Sequence, residues 1–548
     1  MTRGERLVLF ALLAIGLSAR VAVVLHAGPM TDQNFFGDDS FIYHELAMEI
    51  VRGRGITQAG LPTNGFQPLF VALLVPIAWL FDIHAATIAS SLVCGVLSMA
   101  GGFVLFAIVR RLTTVRTGLI ALGLWTASEY LLRVALNGME TALANLLMLV
   151  LIAVHLRSVE PDRRFSAGRG AGLGVIAGLA VLSRFDLGLL VVLIGLQQIW
   201  VRVRRSEWKT LLATTVAGAA VVAPWFIWSY AIFGRLTPVS GAGQRTVSQL
   251  FGNAGGPLAE PVYFELGHPP WSFYADNLVA AASTVLCDSP LALPVAAFGR
   301  SAVAAGVWLA ACLCLAAWFG RSREGAPAEA RSWSQVTTGV IRRTWFLWAF
   351  VPLLVGAYCF YFFAQWHFWR YMAPVVIAVI VPSAVCVDQL WSAAARWSPA
   401  AGRAAWVATV VVFFAAGART HAKFVGPVEK GIAYRIYHDA IDIREWAKPG
   451  MRLGSFESGT LDYFLDPDVL VFNLDGKTNP AAQRAMAAGT MDELIEALRL
   501  DYVVSSPPPI RDQLFRRGRF DANQLELVGR MRHNLVFKVH PRTTGDGA

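Results

Sequence analysis

PLFVALLVPIAWLF, residues 68–81, decides how this chain is threaded. The run is apolar throughout and 14 residues long. A bilayer-crossing helix needs about 20 such residues, and a run of about 10–14 more often lies in or re-enters the interface. Whether this stretch crosses sets the side on which every later loop falls, and loop charge answers that. If residues 68–81 do not cross, the N-terminus, Arg110/Arg111/Arg116, and the stretches 157–169, 201–209 and 321–343 share one side with Arg396 and Arg403. That side then holds 20 Lys+Arg against 6 Asp+Glu. The other side receives residues 27–67, with two Arg and five acids, and residues 233–301, with three Arg and four acids. An excess of Lys and Arg marks cytoplasmic loops. The N-terminus is therefore expected inside. Were 68–81 to cross, the basic loops from Arg110 onward would face outward.

The rest of the sequence fits this threading. The chain has 548 residues, 55% hydrophobic and only 15% charged, with a mean hydropathy of +0.51; soluble domains carry about 25% charge. The expected class is an α-helical polytopic membrane protein. Eleven spans are expected near 7–27, 85–109, 117–135, 138–156, 170–184, 186–201, 210–232, 302–320, 344–363, 371–391 and 404–418. Arg3 and Arg6 ahead of the first apolar run, with no small-residue cleavage site after it, read as an uncleaved signal anchor. The net charge of +10 follows from the basic inner loops and does not call for nucleic acid. The six cysteines lie mostly in apolar runs without C-x-x-C spacing, as small buried hydrophobes do. Two domains are expected: a transmembrane body, 1–420, and an outer α/β domain, 421–548, nearly balanced in charge. In the latter, MRLGSF (451–456), VLVFN (469–473), DYVVSS (501–506) and LVFKV (535–539) read as strands, and Thr490-x-x-Glu493 as a capping box.

With the threading fixed, unusual polar residues collect on the outer face. They are the adjacent Asp38 and Asp39 in FFGDDSFIYHELA (35–47), His44 in the same stretch, Glu140 in NGMET (137–141), Asp186 in LSRFD (182–186), Arg245 after FGRLTPVS (233–240), and His367 and Arg370 in QWHFWRYMAP (365–374). Charges near hydrocarbon are costly and face a bundle interior or a cavity, so an outward-opening aqueous cavity is expected. Each residue also has a plainer use. An acid can cap the amphipathic helix after Gly37, although one suffices. Glu140 can pair with Arg133 or Arg184, Asp186 with Arg184, and Arg370 and His367 can anchor a helix end. Arg20, inside the first span, is expected to snorkel or pair with an acid.

This set suits transfer from a lipid-phosphate sugar donor. The phosphate leaving group needs no general acid. An inverting displacement needs one carboxylate to take the acceptor's proton, and Arg at the interface suits the phosphate. Asp38 and Asp39 are the candidate catalytic carboxylates, with Arg245 and Arg370 at the phosphate and Glu140, Asp186, His367 and His44 lining the cavity. The second Asp orients the first, holds a sugar hydroxyl or binds a divalent ion; two adjacent carboxylates alone establish no metal site.

In order along the chain, Gly37-Asp38-Asp39 with Phe41 and Tyr43, GRGIT (53–57), TNGFQPL (63–69), GMET, LSRFD, FGRLTPVS and WRYMAP resemble the C-type (GT-C) superfamily of integral membrane glycosyltransferases, in its arabinofuranosyl- and mannosyltransferase branches. The resemblance spans most of residues 1–420. It implies a polyprenyl-phosphate sugar donor, a glycan, glycolipid or protein acceptor of the cell envelope, and a site on the outer face of a bacterial inner membrane. By motif position it implies Asp38 as the base, with Asp39 as the substitute. The competing reading is a transporter or lipid-linked-sugar flippase, which would place ionisable groups near the bilayer midplane, often in repeated halves; no such repeat is visible.

Overall fold

The computed structural model describes residues 1–27, 36–160, 164–251, 271–288, 339–362, 367–425, 431–516, 520 and 524–541. Among them, six helices are long and apolar enough to cross a membrane: Arg3–His26, Ile83–Leu112, Thr141–Ser158, Phe185–Arg204, Trp208–Phe233 and Ala373–Trp397. Shorter apolar helices cover Pro68–Leu80, Val115–Ala127, Ala167–Ser183 and Trp345–Tyr361. The chain is thus a multi-pass helical membrane protein, with a longer helix, Pro399–Val425, following the last of these. The expected span at 302–320 lies outside the described residues.

Residues 68–80 form a 13-residue helix, roughly 20 Å long at about 1.5 Å per residue and short of a bilayer core about 30 Å thick. Phe81 is extended, and Asp82 opens the next helix by accepting from the His84 and Ala85 amides at 3.0 and 2.9 Å. The expected span 117–135 is two helices, Val115–Ala127 and Glu129–Ala135. Ser128 divides them, because it adopts an extended backbone and accepts from the Leu131 amide at 3.2 Å. Arg20 does not snorkel, and it meets no acid among the described residues. It is buried and donates to Ser98 Oγ at 3.2 Å and to the Gly16 carbonyl at 3.1 Å. Cys94, Cys359 and Cys386 are buried, as their apolar surroundings suggest.

The Asp38–Val51 helix packs against the Pro68–Leu80 helix and the Ser458–Phe464 helix of the C-terminal region. After it, a small hairpin pairs β1 (Thr57–Gln58) antiparallel with β2 (Leu61–Pro62). The C-terminal region folds as a sheet of β3 (Arg452–Ser455), β4 (Leu470–Asn473), β5 (Tyr502–Ser505), β6 (Leu525–Arg530) and β7 (Leu535–Val539), in the order β4-β3-β5-β7-β6. β3 runs parallel to β4 and β5, and β7 antiparallel to β5 and β6. The four expected strands are present; β6 was not expected. The capping box at Thr490 does not form. Gly489 turns at φ +72 to end the preceding helix, Thr490 donates back to the Ala485 carbonyl at 2.9 Å, and its backbone is not extended enough for the hydroxyl to reach the next turn.

One apolar cluster joins this domain to the membrane body. It contains Phe41 and Leu46 from the Asp38–Val51 helix, Phe70 and Leu74 from the short helix, and Leu461, Phe464 and Val471 from the C-terminal domain. Phe41 meets the edge of Phe464 at 5.0 Å between centroids. Burial of this kind contributes about 25 cal/mol per Å² of apolar surface, so the C-terminal domain is docked rather than tethered.

Candidate functional site

Gly37, not either aspartate, occupies the cap position of the Asp38–Val51 helix. Ser40 secures the first turn: its hydroxyl receives the Gly37 amide at 3.3 Å and donates to the Asn137 carbonyl at 2.7 Å. Both carboxylates are thereby free to reach outward, and they reach in different directions.

Asp38 faces the C-terminal domain. Its Oδ1 accepts from the Thr460 amide at 2.8 Å and the Thr460 hydroxyl at 2.9 Å, and its Oδ2 from the Gly459 amide at 3.1 Å. A Cβ on Gly459 would overlap the Asp38 carbonyl, so the approach depends on glycine there. Burial pushes the Asp38 carboxyl up to about 6, against the pull of the Thr460 amide.

Asp39 faces a ring of nitrogen groups. Oδ2 receives Arg370 Nη2 at 3.0 Å and lies 3.4 Å from His367 Nε2. Oδ1 receives Lys477 Nζ at 3.0 Å. Burial alone would raise the Asp39 pKa, but Lys477 and Arg370 outweigh it and hold the carboxyl well below the usual carboxylate range. Burial and Arg370 push His367 well below its ordinary value, so its imidazole sits neutral beside Asp39 near pH 7.

Arg370 is held from behind. Arg184 donates to the Arg370 carbonyl at 3.2 Å and pairs with Asp186 through two nitrogens. Tyr358 donates to Asp186 at 2.7 Å and stacks on Tyr371 at 4.3 Å. Asp186 thus supports Arg370 through Arg184. Glu140 is buried, electrostatically close to Arg370, and its Oε2 has no partner among the described residues. Arg245 lies over the Tyr361 ring at 4.6 Å, and neither a carboxylate nor a partner for its buried Nε is found among the described residues. His44 is not a lining residue. It is buried, Nδ1 at 2.9 Å from the Ser40 carbonyl and Nε2 at 2.9 Å from Ser90 Oγ, because position 44 lies one turn along the helix from Ser40 on its packed face. Asp39, Arg370 and His367 meet directly, and Asp186 and Glu140 stand close behind them.

Lys477 was missed by sequence reasoning. NLDGKTN (473–479) reads only as a turn after a strand, and nothing local marks its lysine. The turn is wedged between two glycines of the membrane body. A Cβ on Gly65 would overlap the Lys477 carbonyl, and one on Gly243 the Gly476 carbonyl. TNGFQPL and FGRLTPVS are themselves tied together, Asn64 donating to Ser229 at 2.7 Å and accepting from the Val239 amide at 3.0 Å. A divalent cation does not fit this arrangement: Asp38 is satisfied by hydrogen-bond donors, and Asp39 already faces two cations.

Residues 68–228 match the family described as dolichyl-phosphate-mannose-protein mannosyltransferase. ArnT from Cupriavidus metallidurans bound to undecaprenyl phosphate matches at a TM-score of 0.50 and 16% identity, over 96% of this chain and 97% of that one. The Archaeoglobus fulgidus oligosaccharyltransferase matches at 0.50 and 12% identity, over 91% of this chain and 69% of that one. This chain shares the fold of these two proteins, the GT-C fold. No curated protein sequence matches it. The GT-C fold makes the resemblance carried by the outer-face motifs a resemblance of architecture too. It also bears out the expected class, a helical membrane body with a small C-terminal sheet domain.

Proposed function

We propose that the protein is an inverting glycosyltransferase that moves a monosaccharide from a polyprenyl-phosphate donor to a glycan, glycolipid or protein of the cell envelope. The reaction would take place on the outer face of a bacterial inner membrane, with residues 1–420 as the catalytic body and 421–548 as the outer domain. The observation that carries this reading is Asp39, a single partly accessible carboxylate flanked by Arg370 and Lys477 within a GT-C fold. Asp39 takes the proton of the acceptor hydroxyl as the acceptor oxygen bonds to the anomeric carbon. The bond from that carbon to the phosphate oxygen breaks, and the electron pair leaves with the polyprenyl phosphate. Arg370 stabilises the charge gained by the departing phosphate, and Arg245 is its second candidate contact. Glu140 and Asp186 shape the pocket around Arg370, and His367 offers a neutral hydrogen-bonding group beside Asp39.

This assigns the base to Asp39 and moves Asp38, the position implied by the motif, to the domain contact. Three donors already occupy the Asp38 carboxylate. The test is transfer by purified protein from a panel of polyprenyl-phosphate sugars to envelope acceptors. Inverted product from one donor supports the reading. No transfer from any donor, together with movement of lipid-linked sugar across proteoliposomes, sinks it and favours a flippase.

A further inference from the structure

The residue that the membrane body cannot supply comes from 438 positions away. Lys477 sits on the turn after β4, at the opposite end of the sequence from Asp39. Its ammonium lies 3.0 Å from Asp39 Oδ1 and 3.2 Å from Asp475 Oδ2. Asp475 also fixes the turn, its Oδ1 accepting the Lys477 amide at 2.9 Å. Neither side of the Lys477–Asp39 pair is sealed: their side chains keep 18% and 16% of their exposure.

Two features of this placement call for a third group. An anionic donor and the Asp39 carboxylate must share one small site, and two anions at close quarters repel unless a cation lies between them. Lys477 holds one oxygen of Asp39 and Arg370 the other. In addition, the buried Nε of Arg370 has no acceptor among the described residues, which leaves a guanidinium donor beside Asp39 for a phosphate oxygen.

We propose that the C-terminal domain is part of the active site, and that Lys477 is a ligand of the donor phosphate which rests on Asp39 until the donor enters. The inference rests on the glycosyltransferase reading. On donor entry, the flexible four-carbon stem of Lys477 swings its ammonium from Asp39 to a phosphate oxygen. Asp475 stays with the turn it fixes, and the phosphate replaces Asp39 as the counter-charge of the lysine. Asp39 loses one of its two cations at that moment and becomes a stronger base. The docked domain thereby couples donor binding to activation of the carboxylate, and an undocked domain leaves the site short of a phosphate ligand.

The experiment measures binding of undecaprenyl phosphate to detergent-solubilised full-length protein, as wild type, K477M and K477R. Hydrogen exchange over residues 452–479 is followed in parallel, and donor KM and kcat where transfer is detected. The expected result is tenfold or greater weakening in K477M, substantial recovery in K477R, and unchanged exchange in both. Wild-type affinity in K477M overturns the proposal and leaves the glycosyltransferase reading standing. So does weakening that appears only with raised exchange across the turn and is not recovered by K477R, since Lys477 would then be a structural anchor. A wild type that binds no undecaprenyl phosphate overturns the parent reading, and this inference with it.

Discussion

Replacing Asp39 with Asn separates the two aspartates more sharply than any other change. The amide keeps the shape of the side chain but cannot take a proton, and loss of a positioned general base costs about 10²–10⁴ in rate. D39N is therefore expected to lower kcat by at least about 10². It should also change binding in the opposite direction. Asp39 holds Arg370 and Lys477 in ion pairs at 3.0 Å each. Two unit charges about 4 Å apart attract by about 4 kcal/mol at an effective dielectric of 20. Partial exposure and solvation cut the net value to roughly 1–1.5 kcal/mol, the share an incoming phosphate no longer has to displace. About 1.4 kcal/mol is a factor of ten, so D39N should bind undecaprenyl phosphate roughly tenfold more tightly while transferring poorly. D38N, whose carboxylate contacts only the C-terminal domain, should keep most of its kcat. The assay is single-turnover transfer beside equilibrium lipid binding for both variants. Near-wild-type transfer by D39N would refute the assignment, as would loss of chemistry in D38N with lipid binding and domain contacts intact.

Two further outcomes follow from the contacts of the C-terminal domain. Asp38 is raised to about 6 from an ordinary value of 3.8, so between those values the folded protein holds the proton that the unfolded chain releases. Its contribution to stability is full below about pH 4 and declines as pH rises through about 6; thermal unfolding followed from pH 4.5 to 7.5 should show this downward slope, flattened in D38N. G65A would force a Cβ into the Lys477 carbonyl. It should raise hydrogen exchange at residues 475–478 and cut transfer at least about fivefold, a loss of roughly 1 kcal/mol of transition-state stabilisation; unchanged exchange would show that the body and the turn are not in contact.

The helical class of the membrane body was legible because it rests on quantities that sum along the chain. Apolar length decided that residues 68–81 make a short helix, and the motifs were visible as local breaks in apolar patterning. Arg370, Asp39 and Asp186 could be singled out because a charge beside hydrocarbon is costly wherever it occurs. His44 could not be sorted in this way. A histidine one turn from Ser40 has the same spacing whether it faces a cavity or Ser90, and only packing distinguishes them. The two aspartates were equivalent as neighbours in sequence and separated only by what stands opposite them.

The amino-acid sequence by itself determined a helical membrane protein, the set of polar segments available to one face, and a C-terminal domain with alternating strands and helices. Each of these depends on composition and periodicity, which act over neighbouring residues. Tertiary structure alone decided that Asp38 holds the C-terminal domain, that Asp39 lies between two cations, and that one of those cations is Lys477. Contacts across more than 400 residues leave no periodic trace in sequence; they arise when apolar burial docks one surface on another and two glycines allow the backbones to meet.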